Sequence, residues 1–284
     1  MTIQWYPGHI AKAERQLKEQ LKWVDVVLEV RDARIPLATN HPQIPQWIGE
    51  KSRLLILNRM DMIPPDLMQG WLQWFESQGE KAYFTNAQQG TAVAGIAKAA
   101  KTLGIAVNRR REERGMRPRA VRAVVVGFPN VGKSALINRL LKRRVVESAR
   151  RPGVTRQLRW IRISEELELL DAPGIIPWKL DSQEDALKLA ICDDIGEAAY
   201  NTQQVAQTFV ELVTQLLDRH PQWKIPNPLP TRYGIDPHQM TGEEFIQQLA
   251  QQRASGNVER MAQQLLTDFR KGLMGMLPLE LPPE

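Results

Sequence analysis

The chain has 284 residues, 43% hydrophobic and 25% charged, with a formal net charge of +6. That length suits one large or two modest domains around a sizeable core, and the composition excludes wholesale disorder. One cysteine, Cys192, excludes an internal disulfide or a multi-cysteine zinc site, and no apolar run nears the roughly 20 residues that span a bilayer.

Residues 10–23 set Ile10, Leu17 and Leu21 at helical spacing, with Val24 just beyond, and predict an amphipathic helix. The β-branched run 24–30 predicts a buried strand, and residues 54–57 a second. Pro64 and Pro65 open a helix with Leu67, Trp71, Trp74 and Phe75 on one side, closed by Gly79. That spacing assigns the tryptophans to core packing rather than to a base-stacking platform. Residues 82–85 predict a third strand, 91–103 a helix and 104–120 an arginine-rich connector. A fourth strand at 121–126 leads through a Gly-rich loop into a helix at about 133–142, and 158–163 and 167–170 predict two more strands. Strands alternating with helices imply a mostly parallel sheet covered on both faces.

Beyond about residue 176 the strand signals stop. Ser182 caps a predicted helix over 183–199, and 202–219 carries an apolar stripe from Val205 to Leu217. A Pro-rich turn follows. Thr241 to Glu244 forms a capping box, and Asn257 caps a last helix bearing Met261, Leu265 and Phe269. The expected organisation is an α/β domain over 1–176 and a smaller all-α domain over 177–284.

The strongest motif is Gly127–Phe128–Pro129–Asn130–Val131–Gly132–Lys133–Ser134, a GxxxxGKS pattern between a strand and a helix. Its glycines let backbone N–H groups wrap a phosphate at a helix N-terminus, with Val131, Gly132 and Ala135 completing the cradle. Lys133 is expected to reach the β- and γ-phosphates and the Ser134 hydroxyl to ligate Mg²⁺. Asp171–Ala172–Pro173–Gly174 follows another strand. Asp171 there can hold Mg²⁺ through water, Gly174 can offer its N–H to a γ-phosphate, and Thr155 is a candidate second Mg²⁺ ligand.

The base is addressed upstream, by Asn58–Arg59–Met60–Asp61. A carboxylate at Asp61 can accept both N1–H and N2–H of guanine, a donor pair that adenine lacks. Asn58 would tie the loops together and touch the edge of the base. Arg59 stands where lysine is usual and can stack on the base. Asn86–Ala87 after the third strand fits the element whose alanine N–H meets the guanine O6. Two clusters are rich in Arg and Lys, 109–122 and 139–159. They fit either a solvated linker and helix end or a phosphate-facing surface.

These motifs run in the order NRMD, NA, GFPNVGKS, PGVT, DAPG, whereas an ordinary GTPase has the P-loop first. The sequence therefore resembles the circularly permuted GTPases, and within them the YlqF/RbgA family of ribosome biogenesis GTPases. Trp5 to His9, Asp32 to Pro36, Gly256 to Arg260 and Asp268 to Gly272 carry the resemblance over nearly the whole chain. It implies a Rossmann-like P-loop domain with a helical RNA-docking domain, GTP/GDP and Mg²⁺ as ligands, and action on the large ribosomal subunit and its rRNA. The lone cysteine, the short apolar runs and an N-terminus without a signal-peptide stretch point to a cytoplasmic protein without a membrane partner, expected to be monomeric off the ribosome. The resemblance to cation-dependent GTPases makes Asn130 a candidate K⁺ ligand, with a turn-forming asparagine as the alternative. Ile175 stands where Ras-like enzymes place a water-orienting glutamine. Slow intrinsic hydrolysis is therefore expected, with His9 as candidate water-positioning group or, alternatively, a surface histidine. An RNA-binding module that holds GTP as a structural ligand, and a P-loop small-molecule kinase, are the competing readings.

Overall fold

The computed structural model describes residues 15–141, 159–171 and 182–283, with Arg159 and Asp171 described by their backbone alone. His9, Thr155 and Gly174 lie outside the described residues, as does Ile175.

Six strands form one sheet: β1 (Val26–Asp32), β2 (Ser52–Asn58), β3 (Ala82–Thr85), β4 (Val121–Val126), β5 (Arg159–Arg162) and β6 (Leu167–Asp171). Their order across the sheet is β3-β2-β1-β4-β6-β5. Every neighbouring pair is parallel except β5 and β6. All seven residues of β1 are buried, as a central strand covered on both faces requires.

Helix α1 (residues 15–21) and α2 (Ile44–Ile48) cover one face. Leu17, Leu21 and Val24 pack there with Ile44, Ile48, Val124, Val126 and Leu170. Helix α3 (Pro65–Ser77) buries Leu67, Trp71 and Phe75, as the spacing predicts, and leaves Trp74 half-buried. The helix expected at 91–103 is longer. It runs on as α4 (Val93–Glu113) through much of the expected connector. Gly104 does not stop it, because the missing side chain makes room for β4: a Cβ there would lie 1.9 Å from a Val121 methyl. The stop comes at Gly115, with φ +71, whose N–H closes on the Glu112 carbonyl. Helix α5 (Lys133–Leu140) follows the P-loop.

The remaining described helices are α6 (Gln183–Cys192), α7 (Thr202–Arg219), α8 (Pro228–Tyr233), α9 (Gly242–Arg253) and α10 (Val258–Arg270). The expected helix 183–199 ends early. Asp193 turns left-handed, φ +66, and the chain resumes only as a single 3₁₀ turn at Glu197–Ala199. Part of the Pro-rich turn is helical: Asn227 caps α8 and Pro228 takes its first position, where a missing N–H costs nothing. The capping box at Thr241 and Glu244 and the Asn257 cap form as read. Among the described residues, no helix is long and apolar enough to cross a membrane.

Contacts divide the chain into two compact units. One joins residues 61–71 to the described residues from 182 onward, and the other holds the sheet with the rest.

Candidate nucleotide site

The site lies at the carboxyl ends of the parallel strands, where open α/β sheets bind ligands. β4 ends at Val126 and the chain turns through Gly127 into the P-loop. Gly127 has φ +147, and a Cβ there would lie 2.2 Å from the Val30 carbonyl oxygen. Gly132 has φ +101, and its Cβ would lie 2.1 Å from Asn58 Nδ2. Both positions are closed to any side chain.

Asn58, at the end of β2, clasps two loops. Its Nδ2 donates to the Val131 carbonyl at 2.7 Å, and its Oδ1 accepts the Ala87 N–H at 2.9 Å. Its own carbonyl accepts the N–H of Ala33 beyond β1. Here, then, the N–H expected to meet guanine O6 is bonded to Asn58. Asn86 organises its loop through a side-chain bond to the Gln89 N–H at 2.9 Å. Arg139, one of the expected phosphate-facing cations, instead directs its guanidinium to the Ala87 and Gln88 carbonyls. Met60 and Asp61 occupy a single 3₁₀ turn directly after the motif's first residues, and Asp61 is exposed.

Arg59 takes a left-handed backbone, φ +66. Its Nη2 donates to the Asn130 carbonyl of the P-loop at 2.8 Å, and its Nε lies 3.1 Å from Asp32 Oδ2. Its charged end is thus bound to protein rather than offered to a base. Asp32 is fully buried and also receives Arg34 through Nε at 3.0 Å, Nη2 at 2.7 Å and the backbone N–H at 2.9 Å. Burial pushes this carboxyl up. The Arg34 and Arg59 charges, with Arg34's hydrogen bonds, outweigh it and hold Asp32 below the ordinary carboxylate value. The sequence showed Asp32 only as part of a family stretch. An aspartate closing an apolar strand, with arginine two residues on, was the signal.

Lys133 is buried, its Nζ donating to the Phe128 carbonyl at 2.7 Å and to Gly127 at 3.2 Å. Ser134 lies in the first turn of α5 and Ala135 next to it, both half-buried. The Asp171 backbone pairs with Val125, so β6 ends level with the start of the P-loop. Among the arginines of 109–122, Arg109 pairs with Glu113, Arg111 donates to the Arg117 carbonyl, Arg119 meets Asp25 through two bonds, and Arg122 lies by Glu168.

A Gly-rich loop between a central parallel strand and a helix, clasped by an asparagine from a preceding strand, defines a P-loop GTPase with permuted element order. A family model described as 50S ribosome-binding GTPase matches residues 122–248. Ribosome biogenesis GTPase A of Bacillus cereus is 37% identical over 100% of this chain and 95% of its own length. That of Priestia megaterium is 36% identical over 100% and 98%. The chain belongs to the ribosome biogenesis GTPase A family. A GNP-bound YlqF structure from Thermotoga maritima shares the fold, with a TM-score of 0.64 at 24% identity, covering 96% of this chain and 99% of that one. A GDP-bound YlqF structure gives 0.67 at 23%, over 95% and 100%.

Proposed function

We propose that this chain binds GTP across the P-loop and the Asn58–Asp61 segment, hydrolyses it to GDP and phosphate, and acts on the assembling large ribosomal subunit through rRNA. The observation that carries the reading is the Asn58 clasp. One side chain fastens the phosphate loop to the loop at Ala87, so the phosphate- and base-binding segments are held in register before ligand arrives. Asp61 selects guanine, beside Met60, Asn86 and Ala87. Lys133 neutralises β- and γ-phosphate charge, and the N-terminus of α5 supports it.

The oxygen donors of Ser134, Thr155 and Asp171, the last through water, suit Mg²⁺, which when bound draws charge from the phosphate oxygens. Asn130 is the proposed K⁺ ligand. Gly174 would bind the γ-phosphate and His9 orient the attacking water. With Ile175 in the glutamine position, hydrolysis is slow alone and accelerated by the subunit. The protein is a cytoplasmic monomer between encounters.

Turnover and co-sedimentation with large subunits, measured with GTP, a non-hydrolysable analogue and GDP, test this. Nucleotide-dependent sedimentation with subunit-stimulated turnover is expected. Tight GTP binding without turnover in either setting would leave the nucleotide as a structural ligand. In the same assays Asp61→Asn should weaken GTP and improve xanthosine triphosphate, because the amide donates where the carboxylate accepted. Unchanged GTP affinity would remove Asp61 from the base site.

A further inference from the structure

A second cleft opens away from the nucleotide, at the amino ends of the parallel strands. It holds about 470 Å³ and is lined by Trp23, Trp160, Arg122, Arg162, Glu168 and Gln20, among others. Trp23 follows α1 and is 63% exposed, and Trp160, on edge strand β5, is 38% exposed. Strand alternation produces the arrangement. Ile161 turns inward and is buried, so Trp160 and Arg162 face outward on the same side. The register sets Arg122, Glu168 and Arg162 abreast on β4, β6 and β5. The Arg122 guanidinium lies 5.5 Å from the Trp160 ring centre, which steadies the indole. Glu168 is 3.5 Å from Arg122 and offsets that charge, and Arg162 is exposed beside it with its Nε donating to the Ser164 carbonyl at 3.4 Å.

Two exposed indoles and two arginines lining one cleft match the chemistry that holds unpaired nucleobases: flat faces for stacking and cations for the phosphates. We infer that this cleft binds a single-stranded segment of RNA, stacking bases on Trp160 and Trp23 with a phosphate on Arg162. The inference deepens the ribosomal reading and rests on it for the source of the RNA. Since Arg122 lies near the start of β4, at the opposite end from the P-loop, occupancy of the cleft should leave GTP binding intact.

The test titrates a labelled 12-nucleotide single-stranded RNA, and the same sequence as a duplex, into the full chain and into Trp160→Ala, Trp23→Ala, Trp160→Phe and Arg162→Ala. Large subunits are titrated in parallel. Trp160→Ala and Trp23→Ala should each weaken single-stranded RNA about tenfold. Trp160→Phe, which keeps a stacking face, should stay within about twofold of the parent and guards against a folding artefact. Arg162→Ala should lower the salt slope by about one. Duplex affinity and GTP affinity should not move. If the parent binds large subunits while both alanine variants bind single-stranded RNA unchanged, the cleft inference fails and the ribosomal reading stands. If the parent binds no subunit in any nucleotide state, that reading fails with it. Variants that lose subunits yet keep RNA would make the cleft a protein-binding site and overturn the inference.

Discussion

Asp32 anchors Arg59, and through Arg59 the P-loop, although it touches no ligand-facing atom in the described structure. Asp32→Asn should weaken GDP binding several-fold, and Arg59→Met should do the same. The double variant should be no worse than Arg59→Met alone, because residues acting in series are not additive. Calorimetric GDP titrations of the four proteins check it, and fully additive losses would separate the two side chains. Removing one partner of a buried ion pair also costs about 3–5 kcal/mol, readable as a lowered urea midpoint for Asp32→Asn. Gly132→Ala would set a methyl against Asn58 and break the clasp. Nucleotide affinity should collapse while far-ultraviolet circular dichroism keeps its parallel-sheet signature. The glycines and Asn58 were legible because their spacing is itself the phosphate-binding device. The role of Arg59 was not, because its acidic partner lies on another strand and no local pattern reports that pairing.

At the scale of elements, strands were easier to read than helix ends. The central strands β1, β2 and β4 are short runs rich in aliphatic residues, and the parallel sheet followed from the alternation of strands with helices. Helices α4 and α6 end where backbone conformation decides: α4 passes Gly104 and stops at Gly115, and α6 stops at a left-handed Asp193. Gly104 lies inside the first helix rather than at its end, and no glycine marks the end of the second. Between α8 and α10 a buried cluster was equally hidden. Asp268 accepts from Arg232 Nε at 2.8 Å, the Tyr233 hydroxyl at 2.8 Å and Gln264 at 2.6 Å. Burial pushes the Asp268 carboxyl up, and these hydrogen bonds bring it below the ordinary 3.8. A lowered native pKa gives stability that is present above the unfolded value and lost as pH falls through the native one. Thermal midpoints of the parent should therefore drop below about pH 4 partly through this group. Asp268→Asn should lose about 2–4 kcal/mol at neutral pH and show a flatter acid limb. An unchanged acid limb would show that other carboxylates carry it.

For the whole molecule, the permuted motif order was legible because each motif is short, local and ordered along the chain. The assignment of residues 61–71 to the helical unit was not. Met62, Ile63, Leu67 and Trp71 are buried. Gly70 lies so close to Trp223 that a Cβ would sit 2.5 Å from its ring, and one on Gly272 would sit 3.1 Å from the Met62 sulfur. The helical unit thus borrows part of its core from the segment that begins at Asp61. A fragment of residues 182–284 should lack that core, unfold without a sharp thermal transition and bind hydrophobic dyes. A fragment with a cooperative transition matching the full chain would refute this.

The same borrowing bears on how such a protein can be rearranged. A tail complete in itself could be exchanged between enzymes, or shed, with little effect on the parent. This one cannot be inherited separately: any graft must carry the stretch running on from Asp61. Its sequence is thereby tied to that of the nucleotide-binding half, and the two must diverge together.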